Sequence, residues 1–252
     1  MSAASSAWLR VLRDGGQART CLVCLPHAGG SASFFRSWLA HLPEEIDLLA
    51  VQYPGREERF NEPRIACLST LAAHIAQALL ALPARTLLLF GHSMGAALAY
   101  EVGLRLETAG RGAAHVFVSA HPPPHRQPAS DLHRQDDTVL IADILRQDAE
   151  AAGLWADPQL RALFLPTLRS DYQAIETWRP ERLQPLAAPI DVLLARGDQE
   201  VSHDQAQDWA DLTCHTPDIS LFEGDHFYFK QQPRPVIHHL LQRFAHHHGA
   251  SA

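Results

Sequence analysis

Short, continuous apolar runs alternate along this chain with longer stretches in which apolar residues recur every three or four positions. The first kind, at 7–12, 21–25, 48–52, 86–90, 115–119, 190–195 and 219–222, predicts strands. The second, at 69–82, 94–108, 202–212 and 233–247, predicts helices. Alternation of this sort builds βαβ units, hence an α/β fold: a mostly parallel sheet with helices on both faces. Parallel strands covered on both sides are apolar throughout, as TLLLF at 86–90 is.

One stretch breaks the alternation. After Ser119 come Pro122, Pro123 and Pro124 in a row, and no strand pattern returns before Ile190. Helical periodicity appears instead at 138–147, 158–168 and 170–177. A helical insertion here would lie over the carboxyl ends of the strands, where open α/β sheets bind ligands. The chain therefore divides into a first core part, 1–121, a helical lid insertion, 122–185, and a second core part, 186–252. Ordinary crossover helices are the alternative to a lid.

Composition narrows the classes. With 252 residues, 46% of them hydrophobic, the chain can bury a sizeable core as one domain with an insertion. A formal charge of −7 argues against a general binder of nucleic acid or of anionic membrane. No secretory signal is visible, and the most apolar region, 78–90, is broken by Pro83 and Arg85, so no membrane span is expected. Four cysteines make no disulfide framework in a chain of this size, which points to the cytoplasm. Cys21 and Cys24 have zinc-like spacing, but no second pair follows and both lie in a strand run, so no metal is expected. The end of the chain, from His246, reads as a loose tail.

The candidate chemistry begins at Gly91-His92-Ser93-Met94-Gly95, a GxSxG directly after a strand and directly before a helix. In that context the turn lifts a nucleophilic serine above the sheet, as in the α/β-hydrolase fold. Gly91 and Gly95 supply the tightness, since side chains there would collide with the neighbouring strand and helix. A serine nucleophile needs a base, and the base an orienting acid, in the chain order Ser, Asp/Glu, His. Of 16 histidines, His226 stands in the loop between the last strand and the last helix, from where it can reach back over the sheet edge. Asp198 stands at the carboxyl end of the strand 190–195, with Glu200 and Asp204 as fallbacks; Asp225 should point away from the imidazole. Negative charge developing on the attacked carbonyl oxygen needs backbone N–H donors. Met94, after the nucleophile, and Ala28, in the loop LPHAGGS after the strand 21–25, are the candidates. His27 reads as part of that loop's structure.

These residues carry a family resemblance. LPHAGGSASFF (25–35), YPGREERF (53–60), FGHSMGAALAYE (90–101), LRSDYQAIETW (168–178), ARGDQEVS (195–202) and GDHFYF (224–229) together resemble the type II thioesterases, discrete editing enzymes of nonribosomal peptide and polyketide assembly lines. The segments span almost the whole chain in family order. The resemblance implies the triad Ser93, Asp198 and His226, with Ala28 and Met94 at the oxyanion hole. The pattern departs at Glu200, where many members have a second aspartate, and at SAHPPPH, where SGR-like sequences are commoner. SAHPPPH, ASFFRSWL and QYPGREERFNEP resemble members found with siderophore synthetases of the pyochelin type.

The implied reaction is hydrolysis of acyl or aminoacyl thioesters on the phosphopantetheine arm of carrier proteins, without a cofactor of the enzyme's own. A small-molecule carboxylesterase or lipase would use the same triad and is the competing reading. The chain begins with Met1 and ends just past its last helix, as a free-standing enzyme would, and nothing in it demands more than a monomer. Carrier domains are typically acidic like this chain, so contact between them calls for a local basic rim. Arg56 and Arg59, in the loop after the strand 48–52, are the candidates; otherwise they are solvated charges paired with Glu57 and Glu58.

Overall fold

A computed structural model describes residues 6–15, 19–180 and 182–249. Among them the strands form one seven-stranded sheet, in the order β1-β3-β2-β4-β5-β6-β7. β1 (Leu9–Arg13) runs antiparallel along β3 (Ile46–Val51). β2 (Thr20–Leu25), β4 (Thr86–His92), β5 (His115–Ser119), β6 (Ile190–Ala195) and β7 (Ile219–Phe222) join β3 in parallel.

Both faces of this sheet are covered. Alternate strand residues point to opposite sides, so Cys21, Val23 and Leu25 enter one core while Leu22 and Cys24 enter the other. On the first side pack α1 (Leu68–Leu80) and α2 (Met94–Thr108), with Ala206, Trp209 and Leu212 beyond the sheet centre. The second side packs against a 3₁₀ stretch, Ala32–Ala40, and α7 (Pro233–His248). Cys21 and Cys24 therefore face opposite ways across one strand and cannot share a metal ion.

The stretch between β5 and β6 is helical, with α3 (Asp137–Gln147), the short α4 (Ala152–Ala156) and α5 (Pro158–Glu176). These helices have a small core of their own around Leu140, Trp155, Leu165, Leu168 and Tyr172. The two helices expected at 158–168 and 170–177 are one. Asp157 caps α5 by accepting Gln159 and Leu160 N–H. Buried positions then recur at Leu165, Leu168, Tyr172 and Ala174, so packing carries the helix past Pro166. After β6 the expected helix 202–212 is α6 (His203–Gln207), opened by a capping box of Ser202 and Gln205, followed by a 3₁₀ turn, Asp208–Leu212. At the end of the chain, His246 to His248 form the last turn of α7 instead of a loose tail; residues 250–252 lie outside the described ones.

The amino end of the sheet, away from Ser93, is tied by a buried carboxylate. Asp191 on β6 accepts His115 Nε2 at 2.9 Å and Arg243 Nε at 2.8 Å on one oxygen, and Asp218 N–H at 2.8 Å on the other. Burial pushes such a carboxyl up, but the hydrogen bonds from His115, Arg243 and the Asp218 amide outweigh it and hold Asp191 below the usual range. His247 lies close enough to complete a set of three metal-ligating groups with His115 and Asp191, yet Arg243 and His115 already occupy the carboxylate. A depressed carboxyl pKa stabilises the fold above its unfolded value of about 4, and that contribution is lost as pH falls toward the folded value. Asp191→Ala is expected to cost about 3 kcal/mol in denaturant unfolding at neutral pH, because His115 and Arg243 lose their buried acceptor and Arg243 keeps only Asp218 as an ion partner, 3.8 Å away. The gap between parent and variant should shrink below about pH 4; a gap independent of pH would show that the charge contributes nothing.

Candidate active site

β4 ends at His92 and α2 begins at Met94, so Ser93 alone carries the change of direction. Its backbone sits at φ 53° and ψ −121°, which a residue with a side chain adopts only when its surroundings enforce it. Here Ser93 N–H donates to Ser119 O of the neighbouring strand at 2.8 Å, and Ser93 O accepts Ala96 N–H at 2.8 Å. A Cβ on Gly91 would lie 1.9 Å from Gly95 O, and one on Gly95 would lie 2.0 Å from Leu25 O. Neither position has room for anything but hydrogen. As the first residue of α2, Met94 has an N–H that no carbonyl of its own helix can reach.

Two loops bring the other polar groups. Gly197, after β6, donates its N–H to Gly224 O at 2.9 Å, and a Cβ there would be 2.7 Å from that oxygen. This close approach sets the loop bearing Asp198 beside the loop bearing His226. Asp198 Oδ2 then lies 3.0 Å from His226 Nδ1, and Oδ1 accepts Glu200 N–H at 2.9 Å. The Asp198 side chain is fully buried and that of His226 nearly so. With Nδ1–H donated to a carboxylate, the lone pair is on Nε2, which is buried with no hydrogen-bond partner in the structure. The ring of His226 lies 4.8 Å from that of His92, the residue before Ser93. Asp225 is exposed and turns its carboxylate to Phe227 N–H, away from the imidazole.

Ser93 opens into a cavity of about 530 Å³. Ala28, Gly29 and Phe227 line it from the core, and Trp155, Leu168 and Tyr172 from the helices after β5. Lys230 pairs with Asp148 and Glu150, and Arg146 with Glu200, across the same boundary. Burial pushes His27 down to about 3 and His121 to about 4, so both rings are neutral near pH 7. His27 sits edge-on between Phe34 and Phe227, 4.7 Å from each, and a Cβ on Gly30 would strike it.

The two arginines expected on an exposed rim are not there. Arg56 and Arg59 are each only 6% exposed. Arg56 donates to Gly30 O at 2.7 Å and pairs with Asp171 at 2.8 Å. Arg59 donates to Gln52 O, pairs with Glu62 and lies over the Trp8 ring. Neither pairs with Glu57 or Glu58, so both readings of these charges as solvated are corrected. For Arg56 the reason lies 115 positions away in Asp171; Arg59 is buried by Trp8 and the Gln52 carbonyl, which only the fold brings over it. A signal was present: Asp171 is a carboxylate on the apolar stripe of α5, between Leu168 and Tyr172.

A family profile for the thioesterase domain matches residues 20–244. The chain belongs to the thioesterase family. It is 38% identical, over 94% of its length, to a probable cadicidin biosynthesis thioesterase of Streptomyces griseus, of which it spans 66%. Among solved structures it resembles the type II thioesterase BorB from the borrelidin biosynthetic cluster, with TM-score 0.88, 35% identity and coverage of 95% of this chain and 98% of that one. It resembles YbtT, a type II thioesterase from the yersiniabactin pathway, with TM-score 0.87, 32% identity and coverage of 95% and 99%. A serine-to-alanine mutant of YbtT has also been solved. The thioesterase is thus a serine hydrolase of the α/β-hydrolase fold.

In this thioesterase Asp198→Asn is expected to lower turnover by roughly 10⁴-fold, because an amide cannot hold the imidazole in the required tautomer. Asp204→Asn and Asp225→Asn should change it only a few-fold; kcat measured on any accepted thioester decides. Arg59→Ala should lower the unfolding free energy by about 2 kcal/mol, leaving Gln52 O without its buried donor, as read by the denaturant midpoint.

Proposed function

We propose that this thioesterase hydrolyses acyl and aminoacyl groups from the phosphopantetheine arm of carrier proteins, clearing loads that block a nonribosomal peptide or polyketide assembly line. The observation that carries the reading is the buried, unpartnered Nε2 of His226, held by Asp198 beside the strained turn of Ser93. Ser93 Oγ attacks the thioester carbonyl as its proton passes to His226 Nε2. Met94 and Ala28 N–H receive the negative charge that forms on the carbonyl oxygen. Collapse expels the arm's thiolate, which takes the proton from the imidazolium, and Ser93 is left acylated. A water molecule then repeats the sequence with His226 as base, freeing the acid and the serine. Every proton and charge in this cycle is handled by groups of the chain, so the reaction needs neither metal nor cofactor.

The helices after β5 act as a lid, 122–185, between the two core parts 1–121 and 186–252. The cavity below them takes the acyl group while the carrier stays outside. The likeness to YbtT and the wording of SAHPPPH support service in a siderophore pathway. No helix among the described residues is long and apolar enough to cross a membrane. The proposal places the enzyme's work in the cytoplasm, as a monomer, on carriers that dock from solution.

The test is a panel of acyl-loaded carriers, the same acyl groups on a short thiol, and matching oxygen esters. Carrier substrates are expected to give the highest kcat/KM, and Ser93→Ala to remove hydrolysis of all three, by roughly 10⁴ to 10⁶. Preference for oxygen esters would make the protein a carboxylesterase. Ser93→Ala activity within about tenfold of the parent would reject the nucleophile.

A further inference from the structure

We infer that Asp171, on the lid helix α5, is a positioning residue that fixes the oxyanion-hole turn, so that the hole is complete only while the lid is seated on the core. The inference rests on the serine-hydrolase reading of the site, and on Ala28 as one of the two donors.

The loop from His27 to Gly30 is a tight turn closed by Gly30 N–H donating to His27 O at 3.0 Å. Gly29, its third residue, has φ +76°, the left-handed value that a type II turn requires there. Types I and II differ by rotation of the central peptide, here Ala28–Gly29, through about half a turn. Whatever accepts Gly29 N–H therefore decides which way that peptide faces. The acceptor is Asp171 Oδ2, at 2.7 Å, and it comes from the lid.

The other oxygen of the same carboxylate is committed to the same loop. Asp171 Oδ1 accepts Arg56 Nη2 at 2.8 Å, and Arg56 Nη1 donates to Gly30 O at 2.7 Å. One carboxylate and one guanidinium thus clamp the N–H of Gly29 and the carbonyl of Gly30, on either side of the peptide joining them. Both side chains are buried, 3% and 7% exposed, where hydrogen bonds between charged groups are strong and screening is weak. Leu168, one turn earlier on α5, completes the seat: a Cβ on Gly29 would lie 3.0 Å from its Cδ1. Asp171 touches no reacting atom in this arrangement. It acts through the turn that presents Ala28.

If the lid lifts, the Gly29 amide and the Arg56 guanidinium lose their acceptor together, and the turn that positions Ala28 N–H, in the peptide before the central one, is no longer pinned. Hydrolysis outside a seated lid is then suppressed, which protects loads that have not entered the cavity.

The experiment compares the full-length parent with Asp171→Ala and Asp171→Asn on a small acyl thioester and its oxygen ester, neither of which needs a carrier. Because both substrates use the same hole, a wrong choice of carrier partner would leave this test intact. Asp171→Ala is expected to lower kcat about 10²-fold, the usual loss for one oxyanion donor, with KM within about threefold. Affinity for an alkyl boronic acid, whose Ser93 adduct places an anionic oxygen in the hole, should fall by the same factor. Affinity for an inert thioether analogue, with methylene in place of the carbonyl, should not change. Asp171→Asn keeps the shape but can satisfy only one of its two partners, and about a tenfold loss in both kcat and boronate affinity is expected. It also carries the test if the alanine variant fails to fold. A folded variant with kcat near the parent's would overturn the inference. So would a loss shared equally by the boronate and the thioether, which would mean that the cavity had collapsed.

Discussion

The turn at Ser93 must reverse the chain between a central strand and a helix without any space to do so. Gly95 lies against the carbonyl of Leu25 and Gly91 against that of Gly95, so α2 starts at contact distance from the ends of β2 and β4. That approach holds Ser93 in a backbone conformation it would not otherwise keep. It also brings the loop after β2, with Ala28, level with the amino end of α2. The position of Ser93 and of the two proposed donors is therefore a consequence of one packing constraint, and the rest of the site is arranged around it.

A second close approach, Gly197 against Gly224, does the corresponding work for Asp198 and His226, the proposed acid and base. It lets two loops from adjacent strands touch through their backbones, so that a fully buried carboxylate meets His226 Nδ1. Around this pair the site is crowded with imidazoles that cannot compete for its proton. Burial keeps His27 and His121 neutral near pH 7 and pushes His92 well down too. The same burial leaves His226 Nε2 without a protein hydrogen-bond partner, a cost that suits an atom proposed to take a proton.

The helices after β5 are joined to the core by ion pairs and, at the end of α5, by Ala174 and Trp178, which enter the first core of the sheet. Their own small core is separate from the two cores of the sheet, and Ala28 is shared between the helices and the loop below. Pairs such as Arg146–Glu200 and Lys230–Asp148 are partly exposed and individually weak, whereas Arg56–Asp171 is shut away from solvent. The buried clamp makes the seated position specific.

The sheet was legible in the sequence because parallel strands covered on both faces must be apolar throughout, and TLLLF, HVFVS and IDVLLA are close to it. The serine turn was legible because its glycines and its place between strand and helix are local features. His226 and Asp198 could be chosen by position, since chain order and loop placement limit which side chains reach the carboxyl edge. Local periodicity also marked α5, but could not show that packing against Ala28 and the neighbouring helices carries it unbroken past Pro166. Least visible was the fate of Arg56 and Arg59. Two arginines among glutamates read as a solvated loop, because nothing nearby in sequence tells a charge that it will be buried. Only the fold places Asp171, on a helix 115 positions further on, where it can accept both the guanidinium and the Gly29 amide. Pattern and local turn chemistry determine the elements and the turn that carries Ser93; the pairing of buried charges is decided by which distant elements share a surface.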